Sequence, residues 1–405
     1  MKNALYFLLF IVLFYSGSQA SGQTKTPGFA SDGMVVLSGK RSFLLGLYQK
    51  PNIPNCFEYL AKTGFNLVSL QAEASMLDSA KAAGIMSWVT LGTIDPAHRA
   101  ESWNNMRKTI NNLKGKEALL AWELADEPAF NWNSNQLRIA PEIMIETHDS
   151  VNKLDDRPIY LNHAPVNLVE TMKLYNRSND YTACDIYPII PEGIRLMYAL
   201  NPDGKQGDLP NTTLSQVGDY VDKMRKVSGA NRPLLMVLQG FSWEMLRPSA
   251  ERDSTKIRYP SYNDSWFMAW DAIIHGANGL IWWGTAYTPA GHPFHTELNK
   301  VVMKLSSLQN VLSLPAKPFT LNIRYHESGH SVSKGIEVLV KKEKNQLWIL
   351  TANTERYPVQ AELLFTANCT SAEVVFEERK ITIGKEGFFE SYLPYEVHLY
   401  KLTLN

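Results

Sequence analysis

Eight short apolar runs, each separated from the next by a longer amphipathic stretch, dominate the chain between about residues 40 and 312. The runs are rich in Ile, Leu, Val and aromatic residues and are apolar on both faces, as buried parallel strands are. They comprise residues 43–48, 65–70, 85–91, 119–124, 158–162, 181–187, 233–238 and 279–283. Because parallel neighbours need connections of helical length, this strand–helix alternation predicts an α/β fold with a parallel sheet.

Eight such units over residues 40–312 predict a (β/α)8 TIM barrel, which typically needs about 250 residues. A doubly wound open sheet produces a similar alternation. That fold, however, places a Gly-rich phosphate turn after its first strand. Here Gly46-Leu47-Tyr48-Gln49-Lys50-Pro51 stands at that position instead. The barrel is therefore the favoured fold.

The pattern of polar and apolar residues changes after residues 313–318, a Pro-containing stretch typical of a linker. Short segments then alternate polar and apolar residues between turns, which is typical of antiparallel strands. These segments are residues 336–341, 346–352, 360–365, 372–376 and 396–400. They predict a small all-β sandwich domain over residues 316–405, packed on the barrel as a stabilising accessory.

The first 20 residues are typical of an export signal. Lys2 precedes a continuous apolar run, and Ser18-Gln19-Ala20 is a small-x-small cleavage site. The run is too short for a membrane span of about 20 residues, and no later segment is long and apolar enough for one. We therefore expect cleavage after Ala20, a lead-in over residues 21–39, and a secreted or periplasmic protein without a membrane span.

Charge and cysteine content exclude several partner classes. Forty Lys and Arg balance forty Asp and Glu, which gives no attraction to nucleic acid. The three cysteines are widely spaced and form neither a disulfide framework nor a metal-ligand pattern. The sequence predicts no cofactor and no metal, and it leaves the oligomeric state open. Ten Trp and eighteen Tyr suit a carbohydrate partner, although large cores use them too.

An acidic cluster follows the fourth run, where Glu123, Asp126 and Glu127 stand within the stretch 121–128 and Pro128 ends the strand. Barrel enzymes build their sites from the carboxyl ends of strands and the loops that follow. Acids at a buried strand end are costly unless they are paired or used. We expect Glu123 to be paired by arginine or backbone donors, and Glu127 to have a chemical role.

The triplet Asp126-Glu127-Pro128 resembles the strand-four signature of clan A glycoside hydrolases, in which Asn-Glu-Pro carries the general acid/base. The resemblance implies hydrolysis of O-glycosidic bonds in a poly- or oligosaccharide, with Glu127 as general acid/base. The sequence departs from that clan twice. Asp126 replaces the Asn, and Gln239 stands where the clan has its nucleophile at the end of the seventh strand.

Three groups could replace the nucleophile. Asp185, at the end of the sixth run, could activate water in an inverting reaction, which needs carboxyls about 6.5–9.5 Å apart. Asp126 could instead orient a substrate acetamido group, as adjacent Asp-Glu pairs do in some hexosaminidases. Glu244, five residues beyond Gln239, could act as nucleophile after a loop rearrangement. Asp185 is the favoured partner, which gives a catalytic set of Glu127, Asp126 and Asp185.

Other strand ends supply polar and aromatic side chains suited to sugars. The predicted substrate contacts are Tyr48, Gln71, His163, Tyr187, Gln239, Trp243 and Trp283. One of the adjacent pair Trp282 and Trp283 must be core, because neighbours on a strand face opposite ways. Metal hydrolysis lacks a His-x-His on the first run, and serine chemistry lacks a Gly-x-Ser-x-Gly turn. The alternative function is a catalytically impaired barrel that only binds carbohydrate.

Overall fold

The structure is a computed structural model that describes residues 28–131, 134, 136–196, 198–200, 206–326, 335–366 and 368–404. The expected export signal lies outside these residues. A small antiparallel sheet begins the described part, with strands β1 (Gly28–Phe29), β2 (Val35–Leu37) and β3 (Lys40–Ser42). Val35 packs in the cluster of residues that fills the barrel interior, and the Phe29 ring meets Tyr181 edge-on. This sheet therefore covers the amino-terminal end of the barrel.

Eight parallel strands close into a barrel in chain order, each pairing with the next and the last with the first. They are β4 (Leu44–Leu47), β5 (Leu67–Leu70), β6 (Met86–Thr90), β7 (Leu119–Glu123), β8 (Ile159–His163), β9 (Tyr181–Ile186), β10 (Leu234–Gln239) and β11 (Gly279–Trp283). Each strand falls within or overlaps one apolar run of the sequence, so the predicted (β/α)8 barrel is confirmed.

Helices surround the barrel. Within the described residues they are α1 (Cys56–Thr63), α2 (Ala74–Ala82), α3 (Arg99–Leu113), α4 (Pro141–Asn152), α5 (Val169–Lys173), α6 (Gln216–Ser228), α7 (Tyr262–Ile274), α8 (Pro293–Ser307) and α9 (Gln309–Leu312). Helix α7 begins with a capping box in which Ser261 and Asp264 bond each other's backbone N–H. None of the described helices is both long and apolar enough to cross a membrane.

Strand residues alternate between two cores. Tyr160, Ala183 and Val237 fill the barrel interior, whereas their strand neighbours such as Leu161 and Met236 pack under the helices. Both sets are fully buried, which explains why the strands are apolar on both faces. Whether a residue stands at an inward-facing or a helix-facing position therefore decides which strand-end side chains reach the barrel mouth.

The C-terminal strands form two antiparallel sheets, which confirms the predicted β-sandwich. They are β12 (Asn322–Tyr325), β13 (Ile336–Glu343), β14 (Gln346–Asn353), β15 (Val359–Leu364), β16 (Ser371–Val374), β17 (Arg379–Thr382), β18 (Gly387–Tyr392) and β19 (Val397–Thr403). One sheet has the order β12-β15-β18 and the other β13-β14-β19-β16-β17. Strands β12, β17 and β18 were not predicted from the sequence.

The five-stranded sheet packs on both of its faces. On β14, Leu347 and Ile349 face the other sheet, whereas Trp348 and Leu350 join the main core beneath the barrel helices. The linker before the sandwich is fixed by the buried ammonium group of Lys341, which donates to the carbonyls of Leu312 and Leu314, both at 2.7 Å. The sandwich is thus packed firmly on the barrel, whereas the boundaries 40–312 and 316–405 remain predictions.

Candidate active site

Three neighbouring strands, β7, β8 and β9, bring the acidic residues together at the carboxyl end of the barrel. Glu127 follows β7 by four residues, and Asp185 lies on β9. Both line one cavity of about 380 Å³. The remaining lining residues are mainly apolar: Phe130, Ala164, Pro165, Val166, Ile186, Tyr187, Ile190, Arg195, Leu196, Ala199, Leu200, Asp208, Gln216 and Trp243.

Glu127 has a strained backbone. Its φ of 42° lies in the left-handed region, which costs a non-glycine residue roughly 1–2 kcal/mol. Its N–H donates to the carbonyl of Asn162 at 3.0 Å, and its own carbonyl accepts from Phe130 N–H at 3.1 Å. Strain of this kind persists only where surrounding contacts enforce it and is concentrated at functional sites. Here it turns the Glu127 side chain into the cavity.

The carboxyl groups of Glu127 and Asp185 are hydrogen-bonded to each other. Burial, together with the negative charge of Asp126, raises the pKa of Glu127 to about 7. Burial also raises the pKa of Asp185 well above its usual value, with the charge of Glu127 adding to the effect. Because the two carboxyls share a hydrogen bond and repel each other when both are ionised, the pair retains one shared proton near neutral pH.

Asp126 and Asp185 are connected through Asn162 on β8. The Asn162 side-chain amide donates to Asp126 Oδ1 at 3.0 Å and to Asp185 Oδ1 at 3.2 Å. Asp126 itself is exposed and also accepts a long 3.4 Å hydrogen bond from the Tyr48 hydroxyl. The three acids predicted to be catalytic therefore form one hydrogen-bonded group.

Glu123 is buried and paired, but by different partners from those expected. Its Oε1 accepts from the Tyr48 hydroxyl at 2.7 Å, and its Oε2 accepts from the Thr90 hydroxyl at 2.5 Å. Burial raises the pKa of Glu123 in spite of these two donors. Hydroxyls of β6 and of the loop after β4, rather than arginine or backbone donors, thus satisfy this carboxyl.

The described residues of the connection between β9 and α6, which are 187–196, 198–200 and 206–215, contribute the outer wall of the cavity. Arg195 in this loop is ion-paired with Asp208, and its guanidinium carbon lies 5.5 Å from the ring centre of Trp243. The sequence interpretation missed Arg195 and Asp208. The signal that could have found them is the length of this connection, since long loops after barrel strands carry function.

Aromatic rings cluster beside the cavity. Tyr187 and Trp283 are stacked, with ring centres 5.5 Å apart and planes 25° apart, and Trp243 meets Tyr187 edge-on. Trp283 also contacts Tyr287, which is 46% exposed. By contrast, Trp282 is completely buried beneath the helices, so the expectation that one tryptophan of this pair is core is confirmed.

Two predicted sugar contacts, His163 and Gln239, are buried and do not line the cavity. His163 is completely buried on the helix side of β8, and its ring nitrogens have no hydrogen-bond partner among the described residues. Burial lowers its pKa to about 3, so the ring is neutral. Gln239 is also completely buried, with its amide bonded to the backbone of Ile189 and Phe241. Gln239 therefore anchors the loop after β9.

The other candidates differ in position. Gln71 is exposed beyond β5 and does not line the cavity, and its sugar contact remains a prediction. Glu244 is completely buried and accepts from the Asp253 N–H at 2.6 Å. It does not line the cavity that holds Glu127, so a nucleophilic role would require the loop rearrangement already envisaged.

Among the described residues, one group has the spacing of metal ligands, namely Asp271, His275 and Glu337. Here the His275 ring is hydrogen-bonded to Asp222 and Glu337. Burial opposes the charge on His275, but these carboxylates raise its pKa to about 10. The protonated imidazole pairs with these carboxylates, so the group forms an ion-pair cluster between the barrel and the sandwich.

Known proteins with a similar fold were found among solved structures only. No family model and no curated protein matches the sequence. Among solved structures, a glycoside hydrolase family 5 protein from Bacteroides vulgatus matches with 11% identity and a TM-score of 0.61, covering 94% of this chain and 93% of that chain. A second glycoside hydrolase matches with 12% identity, a TM-score of 0.60 and coverage of 94% and 97%.

An α-amylase from Geobacillus thermoleovorans, solved with acarbose, matches with 9% identity and a TM-score of 0.57, covering 90% of this chain and 99% of that chain. At these identities the matches establish a shared fold. The chain thus resembles barrel glycoside hydrolases over the barrel and the sandwich together, as the Asp126-Glu127-Pro128 triplet implied.

Proposed function

We propose that the protein is a secreted glycoside hydrolase that cleaves O-glycosidic bonds of a poly- or oligosaccharide, with Glu127 as the proton donor. The observation that carries this proposal is the hydrogen-bonded pair of Glu127 and Asp185 in the cavity at the barrel mouth. The glycoside hydrolase fold supports it, and the apolar start of the chain supports export.

The chemistry follows from the single proton of the pair. Glycosidic cleavage needs an acid to protonate the leaving oxygen and a base to take a proton from water. Glu127 donates the shared proton to the glycosidic oxygen as the C–O bond breaks, which leaves Asp185 ionised. The ionised Asp185 then accepts a proton from the attacking water, whose oxygen bonds to the anomeric carbon. One water is consumed, and the pair regains its proton.

The hydrogen bond between the two carboxyls defines a resting state. Inverting enzymes hold their acid and base about 6.5–9.5 Å apart, with room for a water between them. A hydrogen-bonded pair leaves no such room, so the substrate must separate Glu127 from Asp185 as it binds. The strained backbone of Glu127 and the cavity-lining segment over residues 187–196 are the elements whose movement would allow this.

The aromatic rings beside the cavity support a carbohydrate substrate. Tyr187 and Trp243 line the cavity that holds both carboxyl groups, and Trp283 stacks on Tyr187, a combination suited to the C–H faces and hydroxyls of a sugar. The predicted contacts kept in this role are Tyr48, Gln71, Tyr187, Trp243 and Trp283. The side chains of His163 and Gln239 are completely buried and do not line the cavity.

The test is a screen of the purified protein against a glycan panel, with the anomeric configuration of the first product read by NMR. We expect hydrolysis with inversion, lost in both Glu127→Gln and Asp185→Asn. Glu117→Gln, an exposed glutamate paired with Lys81, is the matched control and should retain full activity. Retention of configuration, or an active Glu127→Gln variant, would overturn this mechanism.

The second candidate function is a barrel that binds carbohydrate without cleaving it. Gln239 favours it, because a completely buried amide bonded to backbone stands where clan A enzymes have their nucleophile. Calorimetric titration separates the two candidates. Binding of a glycan that is unchanged after prolonged incubation, with equal affinity in the wild type and Glu127→Gln, would establish the binding function.

A further inference from the structure

Asn162 lies between the acids of the site. Strand β8 runs between β7 and β9, and Asn162 is the penultimate residue of β8. Its side-chain amide reaches one acid on each side, Asp126 at 3.0 Å and Asp185 at 3.2 Å. Its backbone carbonyl accepts the N–H of Glu127 at 3.0 Å. One residue therefore contacts all three acids.

The orientation of the Asn162 amide follows from its neighbours. Asp126 Oδ1 and Asp185 Oδ1 are both acceptors, so the NH2 group must face them. The reverse orientation would direct Asn162 Oδ1 at two carboxylate oxygens and lose both hydrogen bonds. Because Asn162 is 4% exposed, water does not easily replace these donors.

We propose that Asn162 is the positioning residue of this site, holding the three acids in register and setting where the proton of the Glu127–Asp185 pair resides. This inference rests on the proposed function for its catalytic meaning, but its geometry does not depend on it. Asn162 touches no reacting atom in this scheme. It acts through Asp185, Asp126 and the backbone of Glu127.

Two consequences follow for the pair. A donor to Asp185 Oδ1 stabilises the ionised form of Asp185, so its loss strengthens proton binding by the pair. The backbone bond to Glu127 secures the residue at its strained φ of 42°, and no side-chain substitution removes that bond. A substitution at position 162 therefore alters proton affinity more than it alters the direction of the Glu127 side chain.

The decisive experiment follows protonation directly, by pH-difference infrared spectroscopy of the protonated carboxyl band in the full-length protein. Glu127→Gln and Asp185→Asn identify which part of the band belongs to the pair. Asn162→Ala removes the donor, and Asn162→Asp replaces it with a carboxylate of the same size. We expect the midpoint of the pair to rise in the order wild type, Asn162→Ala, Asn162→Asp, by ~1 pH unit or more for the last.

Asn66→Ala is the matched control. Asn66 also uses its amide for two hydrogen bonds, to the backbone of Phe43 and Leu45, but it lies before β5 at the opposite end of the barrel. It should lower stability and leave the carboxyl midpoint unchanged. If Asn162→Ala fails to fold, the isosteric Asn162→Asp carries the test alone.

An unchanged midpoint in the folded Asn162 variants would overturn the inference, whatever their activity. A shifted midpoint in a protein that hydrolyses no glycan would support the role of Asn162 and count against the proposed function. Where a substrate is found, the pH profile of kcat should shift upwards by the same amount as the infrared midpoint. A fall in kcat with an unchanged profile would indicate a merely structural role.

Discussion

The carboxyl groups of Glu127 and Asp185 are hydrogen-bonded although their strands, β7 and β9, are separated by β8. The contact is possible because the Glu127 backbone crosses towards β8 and bonds the carbonyl of Asn162. Two carboxyl groups that lie within hydrogen-bonding reach of each other cannot both be ionised without strong repulsion. Retention of one proton is therefore a property of the fold at this point, and it has consequences for both stability and catalysis.

Stability should fall as pH rises through the titration of this pair. The folded-state pKa of Glu127, about 7, is above its ordinary value of 4.5, so the folded protein binds the proton more tightly than the unfolded chain. The stabilising contribution is complete below pH 4.5 and is lost as pH rises towards 7. Urea denaturation across this range should show a flatter decline for Glu127→Gln. If the free energy of unfolding fell equally with pH in both proteins, the raised pKa of Glu127 would be contradicted.

The rate of glycan hydrolysis should fall on the alkaline side in the same region. The reaction needs the shared proton, so kcat should decline as pH rises above about 7, the pKa of Glu127. Removing a general acid typically costs roughly 10²–10⁴-fold in rate, which is the loss expected for Glu127→Gln. A substrate whose leaving group needs no protonation should lose less. An equal loss with both substrates would argue against acid catalysis by Glu127.

The fold was predictable because its signal is redundant. Eight apolar runs each have two buried faces, and an error at one run leaves the others intact. The placement of Glu127 at the barrel mouth was predictable for a related reason, since residues just after a barrel strand lie at the carboxyl end of the barrel. The sandwich edge strands were missed because Asn322–Tyr325 and Arg379–Thr382 are largely polar and only half-buried.

The details of the site were less predictable because they depend on strand parity and on loops. Asn162 and His163 both end β8, but Tyr160 faces the barrel interior, so Asn162 faces it too and His163 faces the helices. The sequence shows the alternation without showing which set is inside. Gln239 also lies at an inward-facing position of its strand, but its side-chain amide is hydrogen-bonded to the backbone of Ile189. A contact with a distant loop has no local signal.

Substitution of Arg195 in the cavity wall should weaken substrate binding. Arg195 pairs with Asp208 and lies over Trp243, so Arg195→Ala should loosen the cavity wall around these two residues. We expect a KM about 10-fold higher with kcat nearly unchanged, equivalent to the roughly 1.4 kcal/mol of one partly desolvated contact. Lys81→Ala breaks an exposed ion pair with Glu117 and serves as the control. A loss confined to kcat would contradict this role.

Tyr48 should matter for stability through Glu123. Tyr48→Phe removes the 2.7 Å hydrogen bond to a carboxyl that is 2% exposed. A buried acceptor left without its donor costs about 1–3 kcal/mol, so the free energy of unfolding should fall by that amount. Tyr287→Phe, on an exposed ring, is the matched control and should have little effect. The comparison is made by urea denaturation at neutral pH, and equal stabilities for the two variants would exclude this contribution.

The junction between the barrel and the sandwich should depend on the charge of His275. This residue follows α7 and bonds Asp222 at 3.0 Å and Glu337 on β13, so it connects the two parts of the chain. Its folded-state pKa, about 10, is above its ordinary value of 6.5, because Asp222 and Glu337 outweigh the burial that opposes its charge.

The stabilising contribution of His275 is therefore complete below pH 6.5 and is lost as pH rises towards 10. We expect the wild type to lose stability over this range in thermal melts, and His275→Gln to start lower and change less. His295→Gln, on a histidine outside this cluster, should follow the wild-type curve. If His275→Gln also follows it, the charge of His275 does not stabilise the junction, and other contacts such as the packing of Trp348 and Leu350 hold it.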